Sequence, residues 1–368
     1  MSRQAIFEAS VQYFLEPIGP MLDDESVTEI MVNGHDDIYV ERRGKLEHTD
    51  ARFASEDALL SAIHNIAQWV GREIDEQHPV LDARLPDGSR VHAVIPPNAR
   101  GGTYLTIRRF SRETLTMKDL ICFGSMSPQV EEFLSICVRL RKNMMISGGT
   151  GTGKTVLLGA ISHAIPEEER IVVIEDTSEL RLIQKHTLYL EASHADRAGR
   201  GGLGVRQLFA NSLRMRPDRI IVGEVRGGEA LDLIQSMISG HAGSLSTVHA
   251  NSARDALIRL ETLSLMSDIE LPVYVARAQV ASAINLIVQI ARFSEDGSRK
   301  ITRVTEACGL DENNQYVLRD LYVLRLRGKT PEGQLTAELE AVGKPTFSAE
   351  PYERGMEGLI ELTKDMWG

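Results

Sequence analysis

The first third of the chain alternates short apolar runs with polar turns. Apolar and polar residues alternate in the segments 27–32, 38–41, 45–48, 90–95 and 104–110. This alternation predicts strands, with a hairpin turn at Arg42-Arg43-Gly44. Between them, residues 55–70 carry an apolar stripe at helical spacing after Ser55, which predicts a helix. Residues 1–110 are therefore predicted to form an α+β domain with its own sheet.

Further along, the pattern changes to continuous apolar runs separated by helices. The apolar, β-branched runs are 143–147, 171–174 and 220–222. The helical segments that alternate with them include 229–239 and 254–266. Such alternation predicts a parallel sheet covered on both faces. Residues 273, 276, 280, 284 and 287 mark one face of a late amphipathic helix, and 316–327 alternate like a terminal strand.

These patterns predict four consecutive segments. They are an N-terminal α+β domain (1–110), a linker with one helical turn near 117–121 (111–127), an α/β domain (128–328) and a tail (329–368). The tail is polar and contains Gly and Pro, so it is expected to be a solvated appendage with a short helix near 356–366. No internal repeat interrupts this order.

The composition is that of an ordinary globular protein with an acidic balance. The chain has 368 residues, 42% hydrophobic and 25% charged, and a formal net charge of −11. This charge disfavours stable nucleic-acid binding and a polybasic membrane anchor. The longest apolar run, 280–291, is too short to span a bilayer, and residues 1–10 lack a signal peptide's apolar core, so a cytoplasmic location is expected. The spacing of Cys122, Cys137 and Cys308 excludes a disulfide framework and a four-cysteine zinc site.

The strongest motif is a glycine-rich loop between an apolar run and a helix. Residues 148–155 read Gly-Gly-Thr-Gly-Thr-Gly-Lys-Thr and match the phosphate-loop pattern G-x-x-x-x-G-K-[ST], which predicts ATP binding. Glycines let backbone N–H groups turn towards an anion, and the helix N-terminus adds partial positive charge. Lys154 is expected to reach the β- and γ-phosphates, and the Thr155 hydroxyl to bind Mg²⁺. The predicted nucleotide-binding residues are Gly148, Gly149, Thr150, Gly151, Thr152, Gly153, Lys154, Thr155 and Val156.

Two apolar runs end in carboxylates, which ATP hydrolysis needs to orient water. Residues 171–174 run into Glu175, and residues 220–222 run into Gly223 and Glu224. A parallel sheet presents such strand ends at the same edge as the phosphate loop. Gly223 stands where a metal-associated Asp is usual. Mg²⁺ is therefore expected to rest on Thr155, phosphates and waters, with only an indirect part for Glu224 or Glu175.

A third polar stretch, residues 240–251, reads GHAGSLSTVHAN. His249 follows the strand-like LSTV, and a neutral imidazole at a strand end can sense a γ-phosphate or donate to it. A lone histidine is more often structural. The phosphate loop and the acidic strand ends in the same domain favour a functional His249.

Together these residues resemble the bacterial secretion and pilus-assembly ATPases of the type II/IV secretion superfamily. The Asp box of that family is similar to residues 174–180, its Walker B region to 213–226 and its His box to 240–251. The resemblance is strongest to the CpaF type, which drives Tad/Flp pili, through the segments VTEIMVNG, RLPDGSRVHAVIPP, TIRRF and ASAINLIVQIARF. The four-cysteine zinc module of type II secretion ATPases is absent from the sequence.

The resemblance implies a RecA-like ATPase domain in a homo-hexameric ring, with nucleotide bound between an N-terminal and a C-terminal domain. The residues that match the family's motif positions are Lys154, Thr155, Glu175, Glu224, His241 and His249. Family members also bring N-domain arginines to the phosphates, and the matching positions are Arg90 and Arg108. The implied setting is the cytoplasmic face of the inner membrane, with peripheral association through platform proteins of a pilus or secretion system.

The sequence as a whole predicts an ATP-hydrolysing motor for a Tad/Flp-type pilus or a related secretion machine. The expected mechanism is closure of the N-terminal domain on ATP, with Arg90 and Arg108 neutralising charge on the γ-phosphoryl group. Glu224 is the first choice to polarise the attacking water, and Glu175 is the second. Two alternatives stay open: a conjugation-type export ATPase for DNA or protein, and a low-turnover, nucleotide-gated scaffold, which Gly223 in place of Asp keeps open.

Overall fold

The computed structural model describes residues 3–42, 44–109, 114–193, 201–331 and 333–368. The chain divides into two compact units, Met1–Glu113 and Thr114–Gly368. Phe110 of the last predicted N-terminal strand, Arg43 of the predicted turn and residues 111–113 of the predicted linker lie outside the described residues.

Unit 1 is an antiparallel sheet packed against helices. Its helices are α1 (Arg3–Phe14), α2 (Gly19–Asp23) and α3 (Glu56–Trp69), and its strands are β1 (Val27–Val32), β2 (Ile38–Arg42), β3 (Lys45–His48), β4 (Val80–Arg84), β5 (Arg90–Val94) and β6 (Tyr104–Arg108). The strand order is β3-β2-β1-β6-β5-β4. Helix α3 begins where predicted because the Ser55 hydroxyl accepts a hydrogen bond from the Ala58 N–H.

The predicted strands and helix of unit 1 are all present, but α1, α2 and β4 were not predicted. Strand β4 buries only Leu81 fully, so its sequence VLDAR lacks the alternation that identifies a half-buried strand. Helix α1 packs on α3, and the Phe7 ring stacks on Trp69 with ring centroids 4.0 Å apart.

Unit 2 is a mixed sheet covered by helices. Its helices are α4 (Met117–Cys122), α5 (Pro128–Arg139), α6 (Lys154–Ser162), α7 (Val205–Ser212), α8 (Glu229–Ile238), α9 (Ala253–Leu265), α10 (Val273–Ala283) and α11 (Glu350–Glu353). Its strands are β7 (Met144–Ser147), β8 (Ile171–Glu175), β9 (Thr187–Glu191), β10 (Arg219–Val222), β11 (Leu245–Val248), β12 (Leu286–Arg292), β13 (Arg299–Leu310), β14 (Tyr316–Lys329) and β15 (Leu335–Ala341). The order is β15-β14-β13-β12-β7-β11-β10-β8-β9.

The strands from β12 to β9 in this order pair in parallel, as predicted. Each central strand is buried on both faces: Met144 and Ile146 of β7 pack with α5 and α6, whereas Met145 packs with α8, α9 and α10. Two apolar layers therefore hold the sheet between two helical layers, which places the carboxyl ends of the strands along one accessible edge.

The late amphipathic helix is shorter than predicted. Helix α10 ends at Ala283, and Ile287 lies in β12, which pairs in parallel with β7. The Asn285 side chain accepts a hydrogen bond from the Asn143 N–H at 2.8 Å, and this contact ties the end of the helix to the start of β7. Apolar spacing alone did not separate the helix from the buried strand that follows it.

The expected linker and tail both contribute to the core of unit 2. The predicted turn near 117–121 is helix α4, and its Met117 and Leu120 are buried in that core. The expectation of a solvated tail is wrong. Strand β15 pairs with β14, and no helix spans 356–366, where short 3₁₀ turns occur instead. The buried residues of this region are Phe347, Ile360, Met366 and Trp367.

Glu132 of α5 holds the C-terminal segment in place. Its carboxylate accepts hydrogen bonds from the backbone N–H groups of Glu361, Leu362 and Thr363. The Trp367 indole donates to the Thr363 hydroxyl at 2.9 Å and stacks on Phe133 of α5 with ring centroids 5.1 Å apart. The polar bonds and the ring contact together fix this segment against α5, where sequence polarity had indicated solvent.

Within the described parts of the chain, no helix is both long enough and apolar enough to span a membrane.

Candidate nucleotide-binding and hydrolysis site

The glycine-rich loop joins the buried strand β7 to helix α6, which is the context that the phosphate-loop motif requires. Gly151 and Gly153 have φ angles of +68° and +90°, which side-chain-bearing residues rarely adopt. Gly148 is needed for a different reason. A Cβ atom there would lie 2.5 Å from the Ile290 carbonyl oxygen of β12. The loop therefore depends on glycine both for its turn and for its close approach to the neighbouring strand.

Lys154, the first residue of α6, is 8% exposed and points back over the loop. Its ammonium group donates to the Gly149 carbonyl at 2.9 Å and lies 3.4 Å from both ring nitrogens of His249. The Thr152 hydroxyl donates to the same carbonyl. Thr155 is half-buried in the first turn of α6. Among the predicted nucleotide-binding residues, the ones exposed to solvent are Thr150, Gly151 and Val156.

Glu224 and His249 meet at the edge of the sheet beside the loop. The His249 Nε2 lies 2.7 Å from Oε1 of Glu224, and Arg226 donates to Oε2 of Glu224 at 2.6 Å. Their loops follow the neighbouring parallel strands β10 and β11. The Thr247 hydroxyl joins these strands by donating to the Gly223 carbonyl at 2.8 Å. The structure thus brings Lys154, His249 and Glu224 into one connected set.

The imidazole of His249 is biased towards its neutral form. Partial burial lowers its pKa, the positive charges of Lys154 and Arg226 lower it further, and the Glu224 carboxylate opposes them. A neutral ring has one nitrogen that donates and one that accepts, so His249 can link Glu224 to a phosphate oxygen or to a water molecule.

Glu175 lies at the end of β8 and is 4% exposed. Burial raises its pKa to about 7, although the backbone N–H groups of Glu179 and Leu180, which donate to its Oε1 at 3.0 Å, oppose the rise. A Cβ atom on Gly223 would lie 2.8 Å from the Cγ of Glu175. The side chain of Glu175 therefore occupies the space next to Gly223, and a larger residue at position 223 would require Glu175 to move.

His241 does not join this set. It precedes β11, whereas His249 follows it, so the two residues lie at opposite edges of the parallel sheet. The turn that contains His241 is fixed at the far edge, where the Gly243 N–H donates to the side chain of Asn143 just before β7. A catalytic role for His241 stays a prediction from the family resemblance.

Arg90 and Arg108 are directly opposite each other on strands β5 and β6 of unit 1. Cross-strand partners project to the same face of a sheet, so the two positions form a pair on that face. Arg90 also lies 3.6 Å from Asp82 of β4. The assignment of these arginines to the phosphates stays a prediction.

Arg226 is the site residue that sequence reasoning missed. It donates to Glu224 at 2.6 Å, and this hydrogen bond and the negative charge of Glu224 raise its pKa. Its guanidinium also lies 4.0 Å from Asp176. The signal was present in the sequence Gly-Glu-Val-Arg, because residues two apart on an extended backbone point to the same side.

The donor set at the loop suits Mg²⁺ that arrives with a nucleotide. The described residues contain no group of three or more His, Cys, Asp or Glu side chains that could hold a metal ion by themselves. The Thr155 hydroxyl at the start of α6 and the carboxylate of Glu224 are oxygen donors. Mg²⁺ usually keeps several waters and takes few protein ligands when phosphates supply the others.

Comparison with known proteins decides the family. The type II/IV secretion system protein family matches residues 12–320 of the chain. This chain belongs to that family. It is 34% identical over 291 residues to a putative conjugal transfer protein of Mycobacterium tuberculosis, covering 77% of this chain and 82% of the relative. It is 32% identical over 324 residues to the type IV secretion system protein VirB11 of Brucella suis, covering 80% and 90%.

Among solved structures, the ATPase DotB of Yersinia pseudotuberculosis aligns with a TM-score of 0.56 at 16% sequence identity, covering 100% of this chain and 84% of DotB. At this low sequence identity, the similarity to DotB shows a shared fold and nothing about function. The prediction of an α/β ATPase fold preceded by a smaller N-terminal domain is confirmed, as is membership of the type II/IV secretion family. Membership supports ATPase activity and nucleotide use in general terms, while the resemblance to the CpaF type in particular stays a prediction.

Proposed function

We propose that this type II/IV secretion family protein is an ATP-hydrolysing motor whose active centre is formed by Lys154, Glu224 and His249 beside the phosphate loop. The observation that carries the proposal is the continuous set of contacts from Lys154 through His249 to Glu224. These residues come from helix α6 and from the loops after two neighbouring parallel strands. Such convergence of a cation, an imidazole and a carboxylate at one sheet edge is what phosphoryl transfer to water needs.

In this mechanism the ammonium group of Lys154 exchanges the Gly149 carbonyl for the β- and γ-phosphate oxygens. Thr155 would hold Mg²⁺ through its hydroxyl, and the metal would supply positive charge to neutralise the phosphates. Glu224 accepts a hydrogen bond from the attacking water and orients it in line with the γ-phosphorus. Arg226 and His249, both in contact with the Glu224 carboxylate, keep it in place.

Glu175 is the second candidate for the proton-accepting role. A carboxyl group with a pKa of about 7 is well suited to exchange a proton near neutral pH. Its position beside Gly223 also supports a motor over a low-turnover scaffold. The site lacks the Asp of the usual pattern, but Glu175 supplies a carboxylate in the adjacent space.

Two related assemblies are candidates for the machine that this motor drives. The motif resemblance to the CpaF type supports assembly of a Tad/Flp-type pilus. The relatives named as a conjugal transfer protein and as VirB11 support a type IV secretion machine that exports DNA or protein. In either case we propose a homo-hexamer at the cytoplasmic face of the inner membrane, with Arg90 and Arg108 closing on the nucleotide. Deletion of the gene, scored for surface pili and for conjugal transfer, separates the candidates.

The test of the motor is ATP hydrolysis measured against protein concentration, with mass determined in parallel by light scattering. We expect turnover to appear as a ring of about six subunits forms, a number taken from the family resemblance, and to be lost in Glu224→Gln. The matched control is Glu312→Gln, an exposed glutamate in a turn of the same unit. Full hydrolysis by a monomer contradicts the requirement for a ring, and an unaffected Glu224→Gln variant moves the catalytic role to Glu175.

A further inference from the structure

The hairpin of β12 and β13 lies directly beside the glycine-rich loop. Strand β12 pairs in parallel with β7, with Gln289 opposite Ser147, the last residue before the loop. Strand β12 ends at Arg292 and strand β13 begins at Arg299, and these two arginines are directly opposite each other. Neither residue belongs to the phosphate loop, the acidic strand ends or the His box, and both are more than 130 residues from the loop in sequence.

Arg299 makes specific contacts with the two glycines that have positive φ angles. Its Nε donates to the Gly151 carbonyl at 2.9 Å. Its Cδ lies 3.3 Å from where a Cβ atom would stand on Gly153. The guanidinium of Arg292 approaches the same loop, with Nη1 3.8 Å from where a Cβ atom would stand on Gly151. One side of the loop is thus covered by arginine side chains from a different part of the sheet.

We propose that Arg299 is a positioning residue for the phosphate loop, a role that rests on the proposed nucleotide site. Glycine allows Gly151 and Gly153 to reach positive φ angles, but it also leaves them free to adopt other conformations. The hydrogen bond from Arg299 holds the Gly151 carbonyl towards the hairpin. A carbonyl held on that side does not turn towards the phosphates, and the neighbouring N–H groups stay directed at the anion.

The restraint acts before the nucleotide binds. Ordering a flexible loop on binding lowers affinity, and a loop that is already ordered avoids this loss. Loss of the Arg299 hydrogen bond is therefore expected to weaken nucleotide binding by about tenfold. The geometry of the Nε donor matters for this role, and positive charge alone does not replace it.

The experiment measures ADP affinity by isothermal titration calorimetry on the full chain. Arg299→Met keeps most of the aliphatic stem and removes the donor, and Arg299→Lys keeps the charge but not the Nε–H. The matched control is Arg303→Met, four residues further along the same strand, where Arg303 pairs with Asp320 of β14. Circular dichroism melts establish that each variant is folded.

We expect both Arg299 variants to bind ADP about tenfold more weakly and to raise KM for ATP more than they lower kcat, while Arg303→Met stays within about twofold of the parent chain. If Arg299→Met binds ADP as tightly as the parent, or if Arg299→Lys restores full affinity, the positioning role is wrong. If the parent chain itself binds no ADP, the proposed function fails instead, so the two failures are distinguishable.

Discussion

The two sheets of this protein carry their polar chemistry in different places. In unit 2, strands β7, β8, β10 and β11 are buried at every position, because helices cover both faces of the sheet. In unit 1, strands alternate: Val91 and Ala93 of β5 are buried, while Arg90, His92 and Val94, which alternate with them, are not. A strand covered on both faces can offer functional groups only at its ends. A half-exposed strand can offer them along its length.

This difference explains the two kinds of candidate residue. Glu175, Glu224 and His249 all stand at or just after the carboxyl end of a buried parallel strand, where the backbone turns out of the core. Arg90 and Arg108 are a cross-strand pair of β5 and β6, on the face of the sheet opposite to the buried pair Val91 and Ile107. The first kind is held by a rigid, fully packed frame, and the second can change with little consequence for the fold. The two kinds of residue should therefore respond differently to substitution.

Lys154→Ala is expected to reduce ATP turnover by more than about 10²-fold, because it removes the cation that stabilises charge on the transferred phosphoryl group. The measurement is phosphate release by the folded, assembled protein. Lys185→Ala serves as the control, since Lys185 is an exposed lysine of the same unit. Undiminished turnover in an assembled Lys154→Ala ring rules out the site assignment.

Glu175→Gln is expected to change the pH dependence of stability. The pKa of Glu175 in the folded protein is about 7, above its ordinary value of 4.5. Between these values the unfolded chain has released the proton that the native state retains, so the free energy of unfolding falls as pH rises. The amide can still accept the N–H bonds of Glu179 and Leu180, and it does not ionise. The variant should therefore be more stable than the parent above pH 7, by about 3 kcal/mol.

Urea denaturation at pH 5 and pH 8 measures this difference. Glu312→Gln, at an exposed turn of the same unit, is the control and should follow the parent at both pH values. Parallel pH profiles for the parent and Glu175→Gln count against a buried carboxyl group that is protonated in the native state.

Gly223→Ala is expected to displace the Glu175 side chain, because the new methyl group would lie 2.8 Å from its Cγ. Overpacking of this kind costs about 1–3 kcal/mol in the free energy of unfolding, and we expect turnover to fall with it. Thermal melts and phosphate release measure the two effects. Gly358→Ala is the control, since a Cβ atom there meets no heavy atom within 4 Å. A fully stable and active Gly223→Ala variant contradicts the steric link between these residues.

Arg90→Ala is expected to have the smallest effect on the fold, under about 0.5 kcal/mol in the free energy of unfolding, because exposed ion pairs contribute little. Turnover of the assembled protein should nevertheless fall if the arginine reaches the phosphates. His92→Ala, on the same strand and also in contact with Asp82, is the control for turnover. Unchanged turnover in both Arg90→Ala and Arg108→Ala removes the arginines from the mechanism.

Sequence reasoning predicted the parts of the site that short-range patterns determine. The phosphate loop needs glycines at fixed offsets, and Glu224 and His249 follow apolar runs whose burial is evident from their composition. The relation between Glu175 and Gly223 was not predictable, because it depends on side-chain packing between two strands. The same is true of Arg299, whose contact with Gly151 joins residues 148 positions apart.

Proximity in sequence does not by itself place two residues at the same edge of the sheet. His241 and His249 lie in one motif, yet the strand between them carries them to opposite edges of the sheet. At the C-terminal end, the polar composition concealed the anchoring of the segment by Glu132, because backbone N–H groups make those bonds and every sequence has them. Local patterns identify elements and strand ends, and they do not identify contacts that backbone atoms or distant side chains complete.

Each unit has one tryptophan, and its indole ring stacks on a phenylalanine of the same unit. Each unit therefore has its own fluorescent reporter. The chain has two tryptophans, and Trp69 lies in unit 1 while Trp367 lies in unit 2. With excitation at wavelengths that tyrosine does not absorb, emission of a Trp69→Phe variant therefore comes from unit 2 alone, and that of a Trp367→Phe variant from unit 1 alone. A denaturant titration of the pair resolves whether the two units unfold together or one after the other. Adding nucleotide to each variant then shows which unit's emission responds to binding.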